Sequence, residues 1–166
     1  MILTYKYRLN PTKKQAFILS DVLFQMQQVY NDALNEHRWY WSRSRRPRSY
    51  VDQWNRIRDE RKRLPDEMGL LNVTSIQQML RRLDKGYKAF YKGLRGLPRF
   101  KGHKRFKSVE YRHGDGCKVK VDRLYIQHVG DIKIRLHRPL PDDATIKQVV
   151  LKLSLIHISE PTRRSD

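Results

Sequence analysis

The spacing of apolar residues changes period along this chain, and that change limits the fold more than any motif does. From Thr12 to Lys92, apolar side chains recur at three- and four-residue steps. From Ser108 to Lys152, short runs alternate apolar with polar. Residues 2–9, ILTYKYRL, also alternate. Leu3, Tyr5, Tyr7 and Leu9 form the apolar face of a predicted strand, and Asn10-Pro11 breaks it. The order strand, helices, strands predicts an α+β fold. A helical block inserted into a small antiparallel barrel or sandwich explains that order.

Thr12 can cap a helix, and Gln15 three residues on completes a capping box. Leu19, Val22/Leu23, Met26, Val29/Tyr30, Ala33/Leu34 and His37 then predict one long amphipathic helix, or two meeting near Gln25–Gln28. No Gly or Pro marks a turn inside 12–41. Residues 42–49, SRSRRPRS, read as a basic linker. A second helix is predicted over Val51–Arg63, with Val51, Trp54 and Ile57 on one side and Leu64-Pro65 ending it. A third spans 72–92, capped by Asn72 or Thr74. Its buried stripe is Ile76, Met79/Leu80, Leu83, Tyr87 and Phe90/Tyr91. The segment GLRGLPRFKGHKRFKS reads as a basic, Gly-rich loop. Strands follow in KSVEYRH, CKVKVD, RLYIQHV, DIKIRLH and IKQVVLK.

Charge narrows the function. The 166 residues hold 36 Lys+Arg against 17 Asp+Glu, a net charge of +19. Such an excess points to a polyanion, most often nucleic acid, because bound cations release condensed counterions. Two stretches carry most of it. Residues 38–63 hold ten Lys/Arg and three acids, and Arg43, Arg45, Arg46 and Arg48 form a candidate phosphate clamp. Residues 81–107 hold eleven Lys/Arg and one acid, Asp84. There Arg81, Lys85, Lys88, Lys92, Arg99, Lys101, Lys104, Arg105 and Lys107 are candidate phosphate contacts. Phe90, Tyr91, Phe100 and Phe106 offer rings for base stacking, though Tyr87 and Phe90 sit where a helix needs core residues. Trp39-Tyr40-Trp41 can stack bases or pack against a neighbour.

Other chemistries find little support. His37, His103, His113, His128, His137 and His157 lack partners at metal-ligand spacing. Cys117 is the single cysteine, so no internal disulfide or multi-cysteine zinc site is expected. Asp142-Asp143 beside Pro141 reads as a turn. No nucleophile elbow, P-loop or dinucleotide fingerprint occurs. No secretory or membrane-spanning segment is legible, so a reducing cytosol is expected. The string LSLIHISEPTR at 153–163 resembles a translated sequencing adapter, so 153–166 is expected to be an artefactual tail on a truncated chain. The other reading is a real strand, LKLSLIHIS, and a polar tail. The tail carries no net charge, so the whole +19 belongs to Met1–Lys152.

Several strings resemble the TnpB (OrfB) proteins of bacterial insertion sequences. They are YKYRLNPTKKQ, VYNDAL, SIQQMLRRLDKGYKAFYKG, LPRFKGHKRFKS and VGDIKIRLHRPLP, in the family's order. The resemblance implies the N-terminal part of a compact RNA-guided DNA endonuclease, binding a guide RNA and target DNA in the cytoplasm, at the nucleoid. It implies a helical recognition domain inserted into a wedge-type β-barrel. The expected units are a first barrel strand at 1–11, the recognition domain at 12–92 and the basic loop at 93–107. Wedge strands at 108–152 and the tail at 153–166 complete the chain. The family's N-terminal region is described as helix-turn-helix. Its RuvC-like nuclease, with magnesium-binding acids, and its zinc ribbon would follow 152. Neither metal site maps onto this chain, and no cleavage is expected of it. Lys92, Arg99, Lys101, Lys104 and Arg105 fall in the segment that would line the guide–target channel. Gln77 is the candidate reader of the target-adjacent motif, since a Gln amide pairs with adenine edges. Tyr50, Tyr111 and Arg112 are further candidates for that groove. Two other classes fit the charge: a complete small helix-turn-helix regulator, and a ribosomal-protein-like RNA scaffold.

Overall fold

A computed structural model describes residues 3–102, 105–135 and 137–152. His103, Lys104 and the 153–166 tail lie outside the described residues. The chain opens with β1 (Arg8–Asn10) and α1 (Lys13–Ser44). The capping box forms: Gln15 N donates to Thr12 Oγ1 at 3.2 Å, and Thr12 N donates to Gln15 Oε1 at 3.0 Å. Of the two readings of 12–41, the single helix holds. α1 runs 32 residues without a break through Gln25–Gln28. One face is buried from Val22 to His37, at Val22, Met26, Val29, Tyr30, Ala33, Leu34 and His37. It ends at Arg45, whose left-handed φ of 56° closes the last turn by donating to Trp41 O at 3.0 Å.

The first strand is shorter than predicted. Pairing covers only Arg8–Asn10, and Leu3 is exposed. Helix α2 (Tyr50–Arg63) starts on the Ser49 cap, whose Oγ accepts from Asp52 N at 3.1 Å. Its buried face differs from expectation. Val51 is exposed, while Gln53 is fully buried beside Ile57 and donates to Ala33 O at 2.8 Å. Helical geometry explains this, because Val51 lies about 120° around the helix from Ile57. A short α3 (Pro65–Met68) follows where only a break was expected, and proline suits its first turn because that N–H needs no partner. α4 (Val73–Tyr91) is capped by Asn72, whose Oδ1 accepts from Thr74 N and Ser75 N at 3.0 and 3.3 Å. Its predicted stripe is buried at Ile76, Met79, Leu80, Leu83 and Tyr87, whereas Tyr91 is exposed.

The strands β2 (Ser108–His113), β3 (Gly116–Val119), β4 (Arg123–Ile126), β5 (Gly130–Arg135) and β6 (Gln148–Lys152) complete a curled six-stranded sheet. The order is β1-β5-β4-β3-β2-β6. Among the described residues β1 and β6 are its edges. One pairing departs from the antiparallel expectation. β2 and β3 meet in parallel over only two residue pairs, at the Gly114-Asp115 corner. That corner is how the sheet bends without a crossover. Val109, Tyr111, Cys117, Leu124, Ile126, Ile132 and Ile134 line the inner face, and they join the helical core in one cluster.

The joint between helices and sheet is polar and specific. Asn72, nearly buried, donates from Nδ2 to Gln127 Oε1 at 3.1 Å. Thr74 Oγ1 bonds Asp115, Ser75 Oγ donates to Glu110 O at 2.6 Å, and Arg82 pairs with Glu110. Gly116 packs directly under this joint at φ +84°, where a Cβ would sit 2.5 Å from Asn72 Nδ2. Gly116→Ala is expected to lower stability by about 2–4 kcal/mol, through both strain and overpacking, as read by chemical denaturation.

A histidine sits inside the helical core. His37 stacks on Tyr87 with ring centroids 4.1 Å apart, and neither imidazole nitrogen makes a hydrogen bond of full geometry among the described residues, although the buried Gln53 side chain lies beside the ring. Burial lowers its pKa from 6.5, only partly offset by Gln53 and nearby carboxylates. The unfolded chain therefore takes up this proton at a higher pH than the folded one. Stability is complete above pH 6.5 and falls with pH below it, down to the folded pKa. Melting temperature measured between pH 7.5 and 5.5 should drop for the wild type, and much less for His37→Phe, which keeps the ring stack.

Candidate nucleic-acid interface

The basic loop is not a free coil. Residues 98–101 lie antiparallel along α1, and side chains of α1 satisfy their backbone. Arg38 donates to Pro98 O at 3.2 Å, and Tyr30 Oη donates to Arg99 O at 3.0 Å. Gln27 and Asn31 both donate to Lys101 O, at 2.9 and 3.0 Å, and Lys101 N donates back to Asn31 Oδ1 at 3.0 Å. An irregular segment against a helix must find partners for its N–H and C=O groups, and α1 supplies them. The strap is thus held by its backbone, which leaves its side chains free for other contacts. Arg99, Phe100 and Lys101 are all exposed. The Arg38 guanidinium covers the Phe100 ring at 4.5 Å. Lys101 Nζ stands 5.1 Å from the Tyr30 ring.

Beyond the strap the chain enters β2 beside a cleft of about 80 Å³ between α1 and α4. Arg82, Lys101, Arg105 and Lys107 line it over a floor of Tyr30 and Met79. Of these cations, Arg82 is neutralised by Glu110. A second cationic feature runs along another flank of α4. Arg81, Lys85, Lys88 and Lys92 follow each other at four- and three-residue steps, all exposed, with half-buried Gln77 one turn before. At 1.5 Å per residue, the line from Gln77 to Lys92 is about 22 Å long. Lys88 is tied to Asp84 at 2.9 Å, and Arg81 stacks over Tyr50 at 5.5 Å. Gln77 makes no side-chain hydrogen bond among the described residues.

The linker clamp divides in two. Arg43, Arg45 and Arg46 are exposed, with Arg43 over the Trp39 ring at 4.9 Å. Arg48 has structural work instead: it bonds Glu36 at 2.8 Å, stacks over Tyr40 at 4.4 Å and faces Asp52 at 3.5 Å. Glu36 also accepts from Arg56 at 2.5 Å, so one carboxylate fastens α2 to α1 through two guanidiniums. Tyr111 is a correction. It is 1% exposed and fills the inner face of the sheet, so its ring meets no base, whereas its neighbour Arg112 is exposed. The β alternation that buries Tyr111 turns Arg112 outward. Sequence reasoning passed over Gln27, Asn31 and Arg38. The available signal was polar side chains at 27 and 31, one turn apart, beside the apolar stripe of α1.

At the far end of α1, Trp41 packs on Tyr91 with centroids 5.1 Å apart, and Tyr87 lies 6.0 Å from Tyr91. Burial pushes the Tyr87 hydroxyl up to about 12, against the pull of Arg38. Cys117 is buried in the sheet, and desolvation raises its thiol to about 11, which suits a core residue and not a nucleophile. Among the described residues no three His, Cys, Asp or Glu side chains converge to hold a metal ion. No helix of the described residues is long and apolar enough to cross a membrane.

Residues 1–46 match the helix-turn-helix domain of OrfB proteins. The matched segment comprises β1, the Thr12 cap and α1, and the first turn after the cap comes only at Arg45. A Streptomyces pristinaespiralis protein, provisionally named an RNA-guided DNA endonuclease, is 30% identical over 144 residues. The alignment covers 84% of this chain and 35% of the relative, so the chain spans about a third of that relative's length. The chain is thus similar to TnpB/OrfB proteins, in the segment matched to their helix-turn-helix domain and along most of its own length.

Proposed function

We propose that this chain is the nucleic-acid-binding N-terminal part of an RNA-guided DNA endonuclease, holding guide RNA and target DNA by their backbones. The observation that carries the reading is the strap. Its carbonyls are consumed by α1, and its cations stand exposed above the chain. The α4 line adds a second row of charge at helical spacing. Rows of cations on rigid elements recognise a phosphate path, not a sequence. In this reading Gln77, at the head of the α4 line, contacts base edges of the target-adjacent motif. Arg43, Arg45, Arg46 and Arg112 add phosphate contacts. The six strands belong to a wedge-type barrel completed by residues beyond those described, and the metal-dependent nuclease chemistry belongs to a later part of the protein. The chain is therefore expected to bind without cutting.

Salt dependence tests this. Affinity for RNA or DNA should fall steeply as salt rises, with a log–log slope near −0.9 per duplex phosphate contact and about −0.7 for single strands. Replacing Arg81, Lys85 and Lys92 together by alanine should flatten the slope by about 2–3 for duplex DNA, one unit or slightly less per cation removed. A slope unchanged by the triple substitution would remove the α4 line from the interface. Binding that is insensitive to salt would remove the backbone reading altogether.

A further inference from the structure

We propose that the pocket between the C-terminal ends of α1 and α4 receives one unstacked nucleobase. Arg38, Trp41, Tyr87, Phe90, Tyr91 and Leu97 line it, and its volume is about 100 Å³. The inference rests on the nucleic-acid reading above and deepens it, by adding a site that grips a base where the cations grip only phosphates.

Three observations lead to this occupant. The first is shape and surface. Four of the six lining residues are aromatic, and an enclosed apolar cavity of about 150 Å³ holds benzene, so an open one of this size seats a six-membered ring with part of it outside. The second is unmet polarity. Tyr87 is 3% exposed, and neither its hydroxyl nor Arg38 Nε makes a hydrogen bond of full geometry among the described residues, although the Arg38 guanidinium lies beside that hydroxyl. Buried polar atoms are almost always paired, so two of them in one apolar pocket ask for a ligand carrying a hydrogen-bonding edge. An N–H and an O–H together suit a ring carbonyl, as pyrimidines present. The third is charge. Lys88 and Lys92 on the last turns of α4 are exposed, and Arg95 follows, so the phosphates flanking a captured base meet cations. Arg38 also links the pocket to the strap through Pro98 O and the Phe100 ring. A metabolite or apolar ligand would use the rings and leave that basic surround without purpose.

The test uses the full chain with Trp39→Phe and Trp54→Phe, which leaves Trp41 as the reporter among three tryptophans. A short single-stranded oligouridine is compared with an abasic strand of equal length and charge. Oligouridine should quench Trp41 and bind about tenfold tighter than the abasic strand, the size of one base–aromatic stack. Tyr87→Phe keeps the ring, removes the hydroxyl and should shrink that ratio severalfold while leaving abasic binding unchanged. If Tyr87→Phe does not fold, Trp41→Leu read by fluorescence anisotropy makes the same comparison. Equal affinity for the two strands, absence of Trp41 quenching, or a ratio untouched by the substitution overturns the pocket while the backbone reading stands. Binding of neither strand overturns both.

Discussion

The interface depends first on how Asn72 ends one element and joins another. Its side-chain oxygen caps α4, and its side-chain nitrogen bonds Gln127 in the turn between β4 and β5. Both roles belong to one amide whose residue is almost buried. A buried amide with all its partners is directional, so α4 has one orientation over the sheet. Ser75 and Arg82, one and three turns along, repeat the contact through Glu110. The cleft beside Met79 and the cationic line on the other flank of α4 both inherit their positions from this joint. Gly116 has no side chain because that space is taken by Asn72.

The acids show how a chain with this much positive charge stays folded. Glu36 binds two arginines, Glu60 shares one of them, Glu110 holds Arg82, Asp84 holds Lys88 and Asp131 holds Lys120. Most of these join different elements, or adjacent turns, of the scaffold. Glu36 is the most enclosed, and a carboxylate with two charge-assisted partners is worth more than a surface pair. With 17 acids against 36 Lys and Arg in the chain, such pairing leaves most cations among the described residues without an acid. These unpaired cations repel one another, which raises the free energy of the compact state. A polyanion relieves that repulsion, so binding and folding draw on the same charges.

Element types were legible in the sequence because each rests on local periodicity. The capping box at Thr12, an α4 cap at Asn72 or Thr74 and the α4 stripe as far as Tyr87 are legible in the sequence. Misreadings arose where tertiary contact decides. Val51 is expected inside for its hydrophobicity, yet the helix turns it about 120° away from Ile57, and Gln53 is buried with its amide donating to Ala33 O on α1. Arg48 looked like a free cation because Glu36 lies twelve residues earlier on another helix. Tyr111 looked like a groove residue beside Arg112, although strand alternation sends the two to opposite faces. The strap was seen as basic and Gly-rich, but its order depends on Gln27, Tyr30, Asn31 and Arg38, about seventy residues away in the chain.

That distance explains why α1 is unbroken. A helix of 32 residues extends about 48 Å. Near its start Gln15 donates to Asp131 O on β5 at 2.7 Å, which pins it to the sheet. In its middle Gln27, Tyr30 and Asn31 hold the strap, and towards its C-terminal end Arg38 and Trp41 line the aromatic pocket. A turn inside α1 would place these three functions on two bodies, and their spacing would vary with the angle between them. A continuous helix fixes the distance from sheet to strap to pocket at about 1.5 Å per residue. In the proposed function, that fixed spacing sets the cations against the phosphate repeat of a bound strand. The segment matched to a helix-turn-helix is therefore one continuous helix behind its Thr12 cap.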